Sequence, residues 1–112
     1  MGVGSGISGE TTSVVATVFV DAENVRRSLW PNIPEDELEV LCTRWADAHG
    51  HHVEVIWEGA ESADDRIAGE VAQRDPPVWV VTSDRELRER VQPYAAHVLG
   101  GGFFAREISK RR

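Results

Sequence analysis

The chain has 112 residues, the length of one domain with a self-sufficient core. Apolar residues make up 41% and charged residues 28%, as in ordinary globular proteins, and no apolar run approaches the roughly 20 residues of a membrane helix. The net charge of −7, from 19 acidic and 12 basic residues, argues against binding of nucleic acid by bulk electrostatics. It leaves open an enzyme that meets phosphates through bound cations, because clustered carboxylates attract divalent ions.

The composition along the chain predicts one domain between two short tails. Residues 1–13 are rich in Gly, Ser and Thr and predict a flexible tail, the domain covers 14–109, and residues 110–112 form a basic end. Cys42 is the single cysteine, which excludes an internal disulfide, and the start lacks the pattern of a secretory signal. We therefore expect a cytoplasmic protein with no membrane partner.

The first half of the chain predicts a strand, a short helical turn and a long helix. Residues 14–20 are a nearly continuous β-branched and aromatic run, as in a strand buried on both faces. A helical turn after Asn24 should end before Pro31, and Pro34 then opens a helix that stops at Gly50. The apolar stripe of this helix consists of Leu38, Leu41, Cys42, Trp45 and His49.

The second half alternates strands and helices. Strands are predicted at 53–57, 78–81 and 95–99, with helices at 63–73 and 84–91 and a short last helix after a glycine turn at 100–102. This alternation is typical of β-α-β units with a parallel sheet. The predicted fold class is therefore α/β, a Rossmann-like three-layer sandwich with a mainly parallel sheet of about four strands.

Aspartates follow two of the apolar strands, and another opens a helix. Asp21 follows the first strand, Asp84 follows the 78–81 strand, and Asp64 begins the helix after the second strand. Ligands of such folds bind beyond the carboxyl ends of the strands, so we expect these three carboxylates to converge. Crowded carboxylates repel unless a cation joins them, and oxygen-only ligands select hard ions. The sequence therefore predicts that Asp21, Asp64 and Asp84 bind Mg²⁺ or Mn²⁺.

Polar and basic residues accompany the acidic phrases. Asn24 lies one turn beyond Asp21, where its amide can orient a water or a phosphate oxygen, and Ser83 offers a hydroxyl beside Asp84. The arginines that follow the acidic phrases are Arg26, Arg27, Arg66, Arg85 and Arg88. Because the guanidinium fork binds phosphate bidentately, we predict that Arg66 and Arg85 contact the substrate backbone together with Ser83.

Three phrases resemble, in the same order, those of the NYN domain, a branch of the PIN-like nucleases. They are residues 20–24 (Val-Asp-Ala-Glu-Asn), 62–67 (Ser-Ala-Asp-Asp-Arg-Ile) and 81–85 (Val-Thr-Ser-Asp-Arg). The last two are most similar to the bacterial YacP-like members, and the similarity spans residues 18–108. The resemblance implies a Rossmann-like sheet and a divalent-metal-dependent endoribonuclease acting on RNA. It also implies that Asp21, Asp64 and Asp84 are the catalytic metal ligands, with Asn24 beside them.

The chain departs from that family in its middle. NYN domains usually carry an aspartate after the second strand and a further strand before the Ala-Asp-Asp phrase. Here Glu58 follows the second strand, and the chain runs almost directly to Ser62. Two functions therefore stay open: an active ribonuclease for single-stranded RNA, or a catalytically degenerate module that binds RNA or a protein partner, including a second copy of the chain.

Helix capping is the competing explanation for two of the phrases. Ser62 with Asp65 fits an N-cap and the third helical position, and Ser83 with Glu86 fits a capping box better still. Such caps leave Asp64 and Asp84 free to point elsewhere. The geometry of the first phrase requires no carboxylate at Asp21, so capping does not explain it.

Other motifs favour structural roles. The histidines at 49, 51 and 52 suggest zinc but lack a cysteine or a second spaced pair, so we predict that they cover a helix end and a strand start. The tryptophans can stack on RNA bases, yet only Trp30, beside Pro31 in a loop, is predicted to be exposed. A phosphatase of another Rossmann-like family is disfavoured because the first strand lacks Asp-x-Asp.

Overall fold

A computed structural model describes residues 15–110, in which a parallel β-sheet lies between two layers of helices. In chain order the elements are β1 (Thr17–Asp21), α1 (Ala22–Arg26), α2 (Glu35–His49), β2 (His52–Ile56), α3 (Ala63–Gln73), β3 (Val78–Val81), α4 (Arg85–Val91), β4 (His97–Leu99) and α5 (Gly101–Ser109). The predicted N-terminal tail and the last two residues of the predicted basic tail lie outside the described residues. Within residues 15–110, no helix is long and apolar enough to cross a membrane.

The four strands are all parallel and lie in the order β2-β1-β3-β4. Val20 on β1 pairs with Val55 on one side and Val81 on the other. The chain therefore winds from β1 to one edge of the sheet and then from β3 to the other edge. The predicted three-layer α/β fold is confirmed, and its topological switch point lies between β1 and β3, where such sheets bind ligands.

Alternating side chains of the strands divide the core into two halves. Val18 and Val20 of β1 pack with α1, α2 and α5, where Phe104 meets Trp45 edge to face at 4.9 Å between ring centroids. Phe19 points to the opposite face and packs with α3 and α4. This period of two is what a strand with helices on both sides requires, and it fixes the register of β1.

The ends of several elements differ from the sequence predictions. The predicted strand at 14–20 begins at Thr17 and includes Asp21, whereas residue 14 lies outside the described part of the chain. Helix α1 starts directly at Ala22, so Asn24 lies inside it rather than before it. Strand β2 ends at Ile56, and the Trp57 indole N–H instead donates to Glu39 Oε2 at 2.6 Å.

Two glycines show why helix ends need particular residues. Gly50 ends α2 in the left-handed conformation with φ of 74°, as predicted for a glycine stop. The predicted turn at 100–102 is wrong, because Gly100 is the N-cap of α5 and Gly101 and Gly102 lie in its first turn. A β-carbon at position 101 would overlap Asn24 Oδ1, so the close approach of α5 to α1 requires a glycine there.

Candidate functional site

An open cleft of about 450 Å³ lies at the carboxyl edge of the sheet. Its walls come from the end of β1, from α1 and the residues after it, from the segment after β2, and from the starts of α3 and α4. The lining residues are Asp21, Glu23, Asn24, Arg27, Ser28, Glu58, Asp64 and Asp84. The three aspartates predicted to converge therefore share one cleft with Asn24, at the switch point of the sheet.

Asp21 is the buried carboxylate of the cleft. It ends β1 with 5% of its surface exposed, and Thr82 Oγ1 donates a hydrogen bond to its Oδ2 at 2.8 Å. Thr82 is itself fully buried just beyond β3, and its Oγ1 accepts the N–H of Asp84 at 3.0 Å. One hydroxyl thus connects Asp21 with the backbone of Asp84, so the ends of the two central strands hold these two acids in a fixed relation.

The carboxylates of the cleft lie within each other's electric field. Burial raises the pKa of Asp21, the hydrogen bond from Thr82 opposes that change, and the negative charges of Asp64, Glu58 and Asp84 raise the pKa further. Burial also raises the pKa of Asp64, and Asp84 and Glu58 add to the rise. A cation in the cleft would relieve this mutual repulsion.

Asp84, rather than Ser83, is the N-cap of α4, so the predicted capping box is wrong. Its Oδ1 accepts the N–H of Leu87 at 3.0 Å. Ser83 is drawn away because its N–H donates to Asn24 Oδ1 at 2.9 Å and its Oγ accepts the N–H of Gly101 at 2.8 Å. The capping bond involves Oδ1 of Asp84 and does not involve Oδ2.

Ser83, predicted to bind substrate, thus ties α1 to α5 and does not line the cleft. Asn24 does line it, and because its Oδ1 accepts from Ser83, its amide N–H groups are the part that can donate to a ligand. The amide is held in place by a contact between two distant parts of the chain.

The second acidic phrase separates into a capping part and a cleft part. Ser62 Oγ accepts the N–H of Asp65 at 3.1 Å, which confirms the predicted N-cap of α3. The Asp65 carboxylate pairs with Arg90 at 3.1 Å, and the hydrogen bonds of this carboxylate with Arg90 and with the Ser62 side chain lower its pKa. Asp64 lines the cleft instead. The neighbouring aspartates therefore have different environments, one facing the other acids and one facing an arginine.

Neither arginine predicted to contact substrate lines the cleft. Arg66 is exposed on α3, and Arg85 is exposed on α4 with its nearest carboxylate, Glu89, 3.9 Å away. Arg27 is the arginine that lines the cleft, and its Nε lies 3.0 Å from Glu23 Oε1. The sequence pattern indicated Arg27 only as one of five arginines after the acidic phrases.

Glu58 also lines the cleft, in the segment where the chain departs from the NYN pattern. Its Oε2 accepts the N–H of Ala63 at 3.3 Å, so the carboxylate is held against the first turn of α3. The position after β2 was the signal available in the sequence, because it matches the strand end where the resemblance leads one to expect an aspartate. Glu58 and Glu23 thus raise the number of carboxylates that line the cleft from the three predicted ones to five.

The cleft suits a hard divalent ion in the kind of donor it offers. Its acids supply only carboxylate oxygens, and Mg²⁺ in proteins usually binds one or two carboxylates together with several waters. Among residues 15–110, no group of three or more His, Cys, Asp or Glu side chains is placed so that it could hold a metal ion together. The kind of donor therefore fits Mg²⁺ or Mn²⁺ only with one or two of Asp21, Asp64 and Asp84 as direct ligands and with waters as the others.

The histidines near the amino edge of the sheet have partners within the fold. His51 Nδ1 accepts the N–H of Ala16 at 3.1 Å, and His49 Nδ1 lies 2.9 Å from the carbonyl oxygen of Trp45. These contacts support the predicted structural roles at a helix end and a strand start.

Comparison of the chain with protein-family models, with curated proteins and with solved structures finds no match. The NYN resemblance remains an expectation based on three short phrases. The function is therefore inferred from the cleft itself.

We predict that Asp21→Asn stabilises the metal-free protein at neutral pH. The folded protein holds the Asp21 proton more tightly than the unfolded chain does, because the pKa is raised on folding. The free energy of unfolding of the wild type therefore falls as the pH rises from the ordinary aspartate range through the raised pKa. Asparagine keeps an acceptor for Thr82 and removes the charge.

Urea denaturation in the presence of EDTA measures this effect. The advantage of Asp21→Asn should be present at neutral pH and disappear as the pH falls below ~4, where both states of the wild type take up the proton. Asp65→Asn is the control with the opposite sign, because its pKa is lowered and its charge is stabilising in the folded protein. A wild type more stable than Asp21→Asn at neutral pH would contradict the prediction.

Proposed function

We propose that this chain is a divalent-metal-dependent endoribonuclease that hydrolyses phosphodiester bonds of single-stranded RNA in the cytoplasm. The observation that carries the proposal is the cleft at the β1–β3 switch point, which Asp21, Asp64, Asp84 and Glu58 line together and where burial and the neighbouring charges raise the pKa of Asp21 and of Asp64. Carboxylates held together at this cost are typical of functional sites. The resemblance of three phrases to the NYN domain supports the same activity.

The residues of the cleft divide into ligands and supporting groups. Asp21, Asp64 and Asp84 are the acids that would hold the ion, one or two of them directly and the rest through its waters, and Thr82 fixes the first of them to the backbone of the third. A bound Mg²⁺ or Mn²⁺ would supply an activated water and neutralise charge at the scissile phosphate. The amide N–H groups of Asn24 donate to a phosphate oxygen.

Arg27 takes the phosphate-binding role that the sequence had suggested for Arg66 and Arg85. It is the arginine of the cleft, and Glu23 holds its guanidinium at 3.0 Å. A planar guanidinium suits a phosphodiester because it donates two parallel hydrogen bonds. One arginine and five acids line the cleft and leave it negative, so a phosphate enters it only together with metal ions.

The test compares two adjacent aspartates of α3. Wild-type protein should cleave single-stranded RNA with Mn²⁺ and lose the activity in EDTA. Asp64→Asn should reduce the cleavage rate by about 10- to 100-fold or more, the range seen when support of a metal site is lost. Asp65→Asn should keep the activity, because Asp65 faces Arg90 rather than the cleft.

Cleavage that is unaffected by EDTA would contradict the metal-dependent mechanism. Equal activity of the two variants would show that the cleft acids do not carry the reaction. Both readouts use the same gel assay on a labelled strand, so a contaminating ribonuclease is recognised by its indifference to Asp64→Asn.

A second candidate function is a non-catalytic module with this fold that binds RNA or a protein partner. One observation favours it: an oxygen of Asp84 already accepts the N–H of Leu87, and the amide oxygen of Asn24 accepts that of Ser83. Calorimetric titration with Mn²⁺ separates the two candidates. The nuclease requires a binding site that Asp84→Asn abolishes, whereas the module shows no such site.

A further inference from the structure

Trp30 is the most exposed large apolar side chain among residues 15–110. Its exposed fraction is 88%, and the next is Tyr94 at 54%. The other three tryptophans pack against the core, as expected for a large aromatic residue. Trp30, in contrast, has its indole in solvent and contributes little to the core.

The loop that carries Trp30 is fixed at both ends. Before it, the N–H of Ser28 donates to the carbonyl oxygen of Val25 at 3.1 Å, and Leu29 packs against the core. After it, Ile33 is buried and its N–H donates to the carbonyl oxygen of Arg26 at 3.0 Å. Trp30 thus projects from an anchored loop, which reduces the entropy lost when a flat ligand stacks on it.

The same loop forms one wall of the acidic cleft. Arg27 and Ser28 line the cleft, and Trp30 follows Ser28 by two positions. Consecutive α-carbons lie about 3.8 Å apart, so the α-carbon of Trp30 is at most about 7.6 Å from that of Ser28. The exposed indole is therefore attached to the chain close to a wall of the cleft.

The charge of the chain explains why such a contact is needed. The net charge is −7, Arg66 and Arg85 lie outside the cleft, and Arg27 lines the cleft together with five acids. Electrostatic attraction to the RNA backbone is therefore weak. Stacking of a base on an aromatic ring does not depend on charge and tolerates any sequence, because every base has a π-face.

We propose that Trp30 is the base-stacking residue of the RNA site, and this inference rests on the proposed ribonuclease function. It binds an unpaired base adjacent to the phosphate in the cleft. The stacked base must be unpaired to present its face, so Trp30 selects single-stranded over double-stranded RNA and does so without preference for sequence.

The experiment measures binding rather than cleavage. Fluorescence anisotropy measures binding of the full chain to a labelled single strand of about 10 nucleotides, a length within the site sizes of single-strand-binding domains. Ca²⁺ replaces Mn²⁺ as the ion, and a gel checks that the strand stays intact. A second probe is the same ribose-phosphate strand without bases. The variants are Trp30→Ala and Trp30→Phe, with Tyr94→Ala as the control. Tyr94 is also an exposed aromatic residue, but it lies in the loop before β4, at the opposite edge of the sheet.

Trp30→Ala should weaken binding of the base-bearing strand by about 5- to 150-fold and leave binding of the abasic strand unchanged. Trp30→Phe should recover most of the loss, and Tyr94→Ala should bind as the wild type does. An unchanged affinity of Trp30→Ala, or an equal loss on the abasic strand, would overturn the inference. So would a wild-type dimer in sedimentation that Trp30→Ala dissociates, because Trp30 would then be an interface residue.

Failure of this inference and failure of the proposed function give different results. If the wild type cleaves RNA and Asp64→Asn does not, while Trp30→Ala binds normally, only the stacking role is wrong. If Trp30→Ala loses affinity as expected but no variant or wild type cleaves RNA, the nuclease proposal is wrong and the stacking site stands.

Discussion

Asp21→Asn is expected to lower Mn²⁺-dependent RNA cleavage by more than about 100-fold, beyond the range for residues that only support a metal ligand. Asp21 is the buried acid of the cleft, and it lies at the end of the central strand β1. Asparagine has nearly the same shape and keeps the hydrogen bond from Thr82, so the loss would come from the missing charge. The rate is measured by gel on a labelled single strand.

Stability separates this loss from unfolding. Burial and three neighbouring negative charges raise the pKa of Asp21, so its ionised form destabilises the folded protein. The metal-free variant should therefore be at least as stable as the wild type at neutral pH. If the variant gains stability and loses activity, Asp21 is a residue kept for function at a cost in stability. A variant that is inactive because it unfolds would instead have a lower urea midpoint than the wild type.

Thr82 provides the matched control for the geometry around Asp21. Its hydroxyl donates to Asp21 Oδ2 and accepts the N–H of Asp84. Thr82→Val removes both contacts and should reduce cleavage by about 10- to 100-fold, whereas Thr82→Ser keeps the hydroxyl and most of the activity. Full activity in Asp21→Asn, or equal activity in Thr82→Val and Thr82→Ser, would contradict this account of the site.

The periodicity of the sequence was sufficient to predict the architecture. The apolar run at 78–81 and the helical pattern at 63–73 match the observed elements residue for residue. Their ends are set by local chemistry, since Ser62 caps one helix and Gly50 stops another. Strand and helix periods reflect which side chains face the core, so they survive without knowledge of distant contacts.

The sequence predicted the part of the site that lies at the ends of the strands. Asp21 and Asp84 follow apolar strands that pair in the sheet through Val20 and Val81, which is why their convergence could be expected. The capping of α4 could not be read in the same way. Ser83 is the better N-cap by local sequence, but its groups are already bound to Asn24 and Gly101, far away in the chain.

The arginines illustrate the same limit. Arg27, Arg66 and Arg85 all follow acidic phrases, and nothing in their spacing distinguishes them. The distinction arises because Arg27 follows α1, whose outer residues face the cleft, whereas Arg66 and Arg85 project from α3 and α4 into solvent. Which side of a helix meets a cleft depends on how the helix docks, and docking is a property of the whole fold.

Gly101→Ala should destabilise the protein by about 1–3 kcal/mol, the usual cost of extra atoms in a packed site. A β-carbon at this position would overlap Asn24 Oδ1 and lie 3.0 Å from Ser28 Oγ. Either α5 must move away from α1, or the Asn24 side chain must leave Ser83. Because Asn24 and Ser28 both line the cleft, RNA cleavage should fall by more than about tenfold, as it does when support of a metal site is lost.

Gly102→Ala is the control one position further along the same helix. Its β-carbon would lie 3.6 Å from Arg106 Nη1, an ordinary contact, and alanine favours a helix over glycine by up to about 1 kcal/mol. This variant should therefore be slightly more stable and fully active. If the two alanine variants behave alike in urea denaturation and in RNA cleavage, the contact of α5 with Asn24 does not position the cleft. Opposite signs at adjacent glycines would instead tie the first turn of α5 to the site.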